Sequence, residues 1–112
     1  TRGQTNDVTF SKDDQTTTVD CNRSAITVTG HDNKITAKGE CSRLTVSGDD
    51  NEVKADIANE VLISGDDNKI EVGVVARINV SGDDNMIAWK KGIGDKRPEI
   101  SNTGDDNHIK QD

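Results

Sequence analysis

Aspartates come in pairs along this chain, and the pairs keep one short phrase. Residues 48–51, 65–68, 82–85 and 104–107 read GDDN, and residues 30–33 read GHDN. Repeated carboxylates suit two kinds of chemistry. They can supply oxygens to a hard cation, since calcium takes about six to eight oxygen ligands. They can also act as acid and base on a glycosidic bond, as carboxylates do along the groove of β-helix enzymes acting on pectin. A calcium site would draw on Asp49, Asp66, Asp83 and Asp105 in one column and on Asp50, Asp67, Asp84 and Asp106 in the next. The competing reading is architectural: Gly, Asp and Asn are turn residues, and the phrase marks the corner of a coiled backbone.

The other residues able to do chemistry are few. His31 and His108 lie at opposite ends of the array, and His31 takes the place of an Asp in its turn. No nucleophile–base or acid–base pair stands out, and nothing marks one aspartate pair as special, so the chain is expected not to be an enzyme. No cofactor is expected, calcium being the one alternative.

Stepping out from each turn, a longer unit emerges. Residues 26–35 read ITVTGHDNKI, 44–53 LTVSGDDNEV, 61–70 VLISGDDNKI, 78–87 INVSGDDNMI and 100–109 ISNTGDDNHI, with a worn copy VTFSKDDQTT at 8–17. The Gly position falls at 12 (as Lys), 30, 48, 65, 82 and 104, so the steps are 18, 18, 17, 17 and 22. Apolar residues alternate with polar ones on both sides of each turn, the period of a strand. One inward column is Val8, Ile26, Leu44, Val61, Ile78 and Ile100, followed two residues on by Phe10, Val28, Val46, Ile63, Val80 and Asn102. After the turn come Thr17, Ile35, Val53, Ile70, Ile87 and Ile109, then Val19, Ala37, Ala55, Val72, Trp89 and Gln111. A third, shorter group is Cys21, Cys41, Ile57 and Val74 or Val75.

Strand, turn, strand, short side, then the same again describes an all-β, single-domain parallel β-solenoid, three-sided, spanning 1–112. Its coils are expected at about 8–25, 26–43, 44–60, 61–77, 78–99 and 100–112, with a loop insertion at 90–99 that holds the only proline. Trp89 is expected to help close the core at that end. Outside the turn, Lys34, Glu52 and Lys69 alternate in sign from coil to coil, as do Lys54 and Glu71, which favours in-register pairing. Asn33, Asn51, Asn68, Asn85 and Asn107 form one column, read as a ladder at the corner, with the Gly before them supplying a conformation costly for other residues.

Composition bounds the function. The 112 residues carry a net charge of −7, and 11 of the 21 acidic residues sit in the two aspartate columns. Such a chain is not expected to bind nucleic acid, although Lys90, Lys91, Lys96 and Arg97 make the insertion locally basic. No apolar run is long enough to span a bilayer. Calcium-binding β-rolls repeat a nine-residue glycine-rich unit whose ligand spacing is not found here. An outward Thr-x-Ser/Thr array at residues 9–11, 27–29 and 45–47 has the look of ice-binding solenoids but stops where Leu62 and Asn79 intervene. Cys21 and Cys41 fall in adjacent coils on one side, with registers two residues apart that a bulge can absorb; the expectation is a disulfide and an oxidising compartment, against the alternative of two buried thiols. The chain begins at Thr1 rather than Met, so a processed N-terminus is expected.

The pattern V-x-V-x-G-x-x-N-x-V, the Cys pair at 21 and 41, and a Pro-containing insertion before the last G-x-x-N copy resemble a bacterial exported family described as domain of unknown function 3060. The resemblance covers about residues 18–110 and implies export, to periplasm, cell surface or medium, and a small β-solenoid; it brings no activity and no functional residues. The expected function is a non-enzymatic structural or interaction module presenting flat faces to a protein or cell-surface partner, with oligomerisation through faces or ends allowed. A calcium-dependent binding or adhesion module is the alternative, and an ice-binding or polysaccharide-acting solenoid comes third.

Overall fold

The structure, a computed structural model, describes residues 7–94 and 96–112. The alternating segments form nine strands: β1 (Val8–Phe10), β2 (Thr16–Asp20), β3 (Ala25–Val28), β4 (Lys34–Val46), β5 (Glu52–Ile63), β6 (Lys69–Val80), β7 (Met86–Gly92), β8 (Glu99–Asn102) and β9 (His108–Gln111). All pairings are parallel, and each joins a residue to its repeat equivalent one coil on. Val8 pairs with Ile26, then Leu44, Val61, Ile78 and Ile100 follow in line. Across the turn, Thr16, Lys34, Glu52, Lys69, Met86 and His108 do the same. Stacked in this way, about six coils make a β-solenoid in which every copy lends its hydrogen bonds to the next.

The long strands β4, β5 and β6 bend at corners, and the burial pattern shows where. Inward residues are two apart along a side, as in Val53 and Ala55 or Val61 and Ile63, but three apart where the chain rounds a corner, from Ala55 to Ala58 to Val61. Three sides result. The short side buries Cys21, Cys41, Ala58 and Val75, whereas Ile57 and Val74 pair with each other on the outer surface, half-buried. Ile57 was expected inward; a period of two carried past Ala55 reaches it one residue too soon, because the corner consumes an extra residue.

Coil length is adjusted on the short side of the early coils and at the insertion. The pairing of β4 with β5 slips by one residue between Ala37 and Glu40. Gly39 sits there with φ of 80°, and its N–H donates to Asp56 Oδ2 at 3.1 Å. The extra residue of the 18-residue step is this bulge. On the coil before, the chain turns at Asn22 and Arg23, with φ of 47° and 68°, and the Ser24 N–H donates to the Cys21 carbonyl at 2.8 Å. That turn brings Cys21 level with Cys41. The two form a disulfide with Cα atoms 5.0 Å apart, and both are buried.

The core is a set of apolar columns: Ile26 with Leu44, Val61 and Ile78; Val28 with Val46, Ile63 and Val80; Ile35 with Val53, Ile70 and Ile87; Ala37 with Ala55, Val72 and Trp89. Burying each Val, Leu or Ile is worth about 1.5–3 kcal/mol. Trp89 is buried at the C-terminal end of its column, as expected. The columns thin at both ends: Val8, Phe10, Val19 and Ile109 are half-buried, and Ile100 is 42% exposed. The insertion is narrower than expected, since β7 runs to Gly92 and β8 starts at Glu99, and the described residues between them, 93, 94 and 96–98, lie outside any strand. Pro98 is buried within it, and a Cβ on Gly92 would overlap the Lys96 carbonyl, so the insertion folds back against the coil it leaves.

Candidate functional site

The corner GDDN joins the strand that ends in Val28, Val46, Ile63 or Val80 to the strand that begins one turn later. Each of its four residues has a separate task. The glycine allows close approach. A Cβ on Gly48 would overlap the carbonyl oxygen of Gly30, and one on Gly65, Gly82 or Gly104 would overlap that of the glycine in the preceding coil. The expected conformational role falls elsewhere. The left-handed residue is the second aspartate: Asp14, Asp32, Asp50, Asp67, Asp84 and Asp106 all have φ of 57–59°. Asp tolerates this region better than most residues with a Cβ, which explains an acidic residue at a position where no partner demands the charge.

The asparagine grips the coil behind it. Asn51 Oδ1 accepts the Asn33 N–H at 2.9 Å, and Asn51 Nδ2 donates to the Gly30 carbonyl at 2.9 Å. Asn68 holds Asn51 N–H and Gly48 in the same way. Asn85 holds Asn68 and Gly65, and Asn107 holds Asn85 and Gly82. The expected ladder is present, and its rungs run from the side-chain amide of one coil to the backbone of the coil before it. Each side-chain amide fills the gap between the carbonyl and N–H of the preceding turn, as a peptide group would. Asn33, Asn51, Asn68 and Asn85 are buried. Asn33 Nδ2 is buried without a partner, and it faces the one turn in which Lys12 stands for Gly.

The first aspartate reaches the other way. Asp49 Oδ1 accepts the Asp66 N–H at 2.9 Å, Asp66 Oδ1 accepts that of Asp83 at 2.9 Å, and Asp83 Oδ1 accepts that of Asp105 at 3.0 Å. Asp13 does so for His31 at 2.8 Å, and His31 Nδ1 accepts the Asp49 N–H at 3.1 Å. His31 therefore replaces Asp as an acceptor, which requires Nδ1 to be unprotonated. These charge-assisted bonds offset part of the repulsion of stacked carboxylates.

The second column shows what remains of that repulsion. Among the described residues, the carboxylates of Asp50, Asp67, Asp84 and Asp106 make no hydrogen bond. Crowding that strips water from Asp84, and then the charges of Asp106, Asp67, Asp83 and Asp66, hold its pKa above the usual carboxylate value. Asp84 is itself exposed, so the neighbouring charges are the cause with the clearer geometric basis. Among the described residues, no group of three or more His, Cys, Asp or Glu side chains has an arrangement that could hold a metal ion. The corner thus brings the eight aspartates named for calcium into two columns and employs one column on the backbone.

Elsewhere, residues of one column make a chain of ion pairs: Arg43 to Glu60 at 3.1 Å, Glu60 to Arg77 at 3.2 Å, and Arg77 to Glu99 at 3.4 Å. Sequence reading passed over this column, although its signs alternate at the repeat spacing just as those of Lys34, Glu52 and Lys69 do. Lys54 and Glu71 approach to 4.0 Å. Exposed pairs of this sort contribute about 0–1 kcal/mol each. Their value is in favouring one register. Among the described residues no helix is long and apolar enough to cross a membrane.

The profile of a family described as "Protein of unknown function (DUF3060)" matches the chain twice, over residues 28–73 and 57–106. The two matches share the one-coil stretch 57–73, as follows when a profile of a few repeats is laid on a longer array. No curated protein and no solved structure matches the chain. The matches take in the four G-x-x-N corners at 30–33, 48–51, 65–68 and 82–85 and stop just short of Asn107, and the chain belongs to this family of unknown function.

Proposed function

We propose that this chain is a non-enzymatic, exported structural or interaction module that presents the faces of its solenoid to a protein or cell-surface partner. The observation that carries the reading is where the corner's polar atoms go. Gly, the first Asp and Asn each serve a neighbouring coil, so architecture accounts for the motif and the faces are left to vary. A buried disulfide supports export, because such bonds persist in oxidising compartments.

A calcium-dependent binding or adhesion module is the second reading. The unbonded carboxylates of Asp50, Asp67, Asp84 and Asp106 favour it. One experiment separates the two. A photo-crosslinking residue is placed at Lys54, on a face, or at Asp67, on the corner, in cells that make the chain. The expected outcome is an adduct of one defined mass from position 54, unchanged by EDTA, and none from 67. Adducts from 67 alone, lost in EDTA, favour the calcium module. No adduct from either position overturns the interaction reading.

A further inference from the structure

One segment of the rod does not repeat. The insertion leaves after Gly92 and returns at Glu99, and its described residues border a cleft of about 430 Å³ on the corner between the short side and the side that begins at Val61 and Ile78. That volume is within the range of about 300–1,000 Å³ usual for small-ligand sites. Ile93, 39% exposed, and Ala76 give the lining an apolar part. Lys96 and Arg97 also line it, and among the described residues neither side chain has an ion-pair or hydrogen-bond partner. Arg77 is occupied, held between Glu60 and Glu99. Two cations with no partner among the described residues, beside an exposed isoleucine, are out of keeping with a chain of net charge −7.

We propose that this cleft binds the C-terminal carboxylate of a partner peptide whose last side chain is apolar. Lys96 and Arg97 hold the carboxylate, and Ile93 with Ala76 takes the side chain. The inference rests on the reading of the chain as an interaction module. Charge complementarity selects the ligand. A guanidinium and an ammonium suit a single carboxylate, while Glu60 and Glu99 in the same lining oppose a phosphate or a polyanion. A sugar acid would need neutral polar partners for its hydroxyls, and Asn59 is the one neutral polar side chain in the lining.

The test is an NMR titration of the full chain with N-acetyl-leucine, N-acetyl-leucinamide and galacturonate. The expected result is saturable shifts with N-acetyl-leucine, confined to 59–60, 76–77 and 92–99. The pair Lys96→Ala with Arg97→Ala is expected to weaken that binding about tenfold or more, as loss of a charged hydrogen bond does, with an unchanged melting temperature. Ile93→Ser weakens it without a change of charge. Equal binding of the amide, tighter binding of galacturonate, or shifts spread over the lysines of the faces overturns the proposal. If position 54 yields crosslinks and this titration stays flat, the module reading survives and this site does not.

Discussion

The first coil and the middle coils write the same corner differently. The middle coils read SGDDN; the first reads SKDDQ, with Lys12 for Gly and Gln15 for Asn. The difference follows from direction. The glycine and the asparagine both face the preceding coil, through the close approach and through the two amide bonds. The first coil has no earlier coil among the described residues, and the Gln15 side-chain amide turns back on its own turn, donating to the Asp13 carbonyl at 3.2 Å. Both constraints are lifted there, and both residues are replaced. The first aspartate faces forward, and the first coil keeps it as Asp13, which holds the His31 N–H. The last coil retains Gly104 and Asn107, which still have a coil behind them. Degeneracy at a solenoid end is thus specific to the bonds that end has lost. The disulfide ties down that weakened first coil, a 20-residue closure worth about 3 kcal/mol on loop entropy.

This contrast can be broken most sharply at the glycine. Gly65→Ala drives a Cβ into the Gly48 carbonyl, and the coils must part. A loss of about 4 kcal/mol or more is expected, while Lys12→Ala changes stability by less than about 0.5 kcal/mol. Urea midpoints on the two variants decide it; equal effects would show that the close approach is not what the glycine serves.

The asparagine comes next. Asn68→Leu strands the Asn51 N–H and the Gly48 carbonyl in a buried corner. With the two unpaired groups in the lower part of the range of about 1–3 kcal/mol each, a loss of about 2–4 kcal/mol is expected, against almost none for Gln15→Leu. A comparable loss at Gln15 would mean that the amide column does not point backwards.

The smallest effect lies in the second aspartate. Asp84 has a raised pKa in the folded chain, so the folded state holds that proton more tightly than the unfolded state. The stabilising contribution is complete below the unfolded carboxylate value and is lost as pH rises through the raised one. Asp84→Asn keeps a residue that tolerates left-handed angles and removes the charge. It is expected to be more stable than the parent at neutral pH and low salt, with the advantage shrinking in salt and vanishing in acid. Asp14→Asn, with a neighbouring turn on one side only among the described residues, gains less. Thermal melts across pH and salt measure both.

The repeat made the fold readable. Val28 with Val46, or Ile70 with Ile87, share a column because the same phrase recurs at a fixed step, and parallel stacking is the economical way to bury such columns. Corners were less legible. Ala58 rather than Ile57 turns inward because a bend uses a residue that no apolar period announces. The tasks within GDDN were also hidden, since glycine and aspartate each have two structural uses, close approach or positive φ, and a column of letters does not say which applies. The cleft beside the insertion sets Ile93, Lys96 and Arg97 next to Asn59, Glu60, Ala76 and Arg77 of two earlier coils, a juxtaposition with no periodic signature.

The backward grip of each asparagine has a consequence for how the chain is made. A ribosome delivers the N-terminal coils first. From Asn51 onward, each emerging G-x-x-N turn finds its acceptor and donor already in place on the coil before it, and it needs nothing from the coil not yet synthesised to set its own side-chain amide. The rod can therefore lengthen by one coil at a time on a finished template, and the Cys21–Cys41 link, which needs an oxidising compartment to form, locks the first coils afterwards.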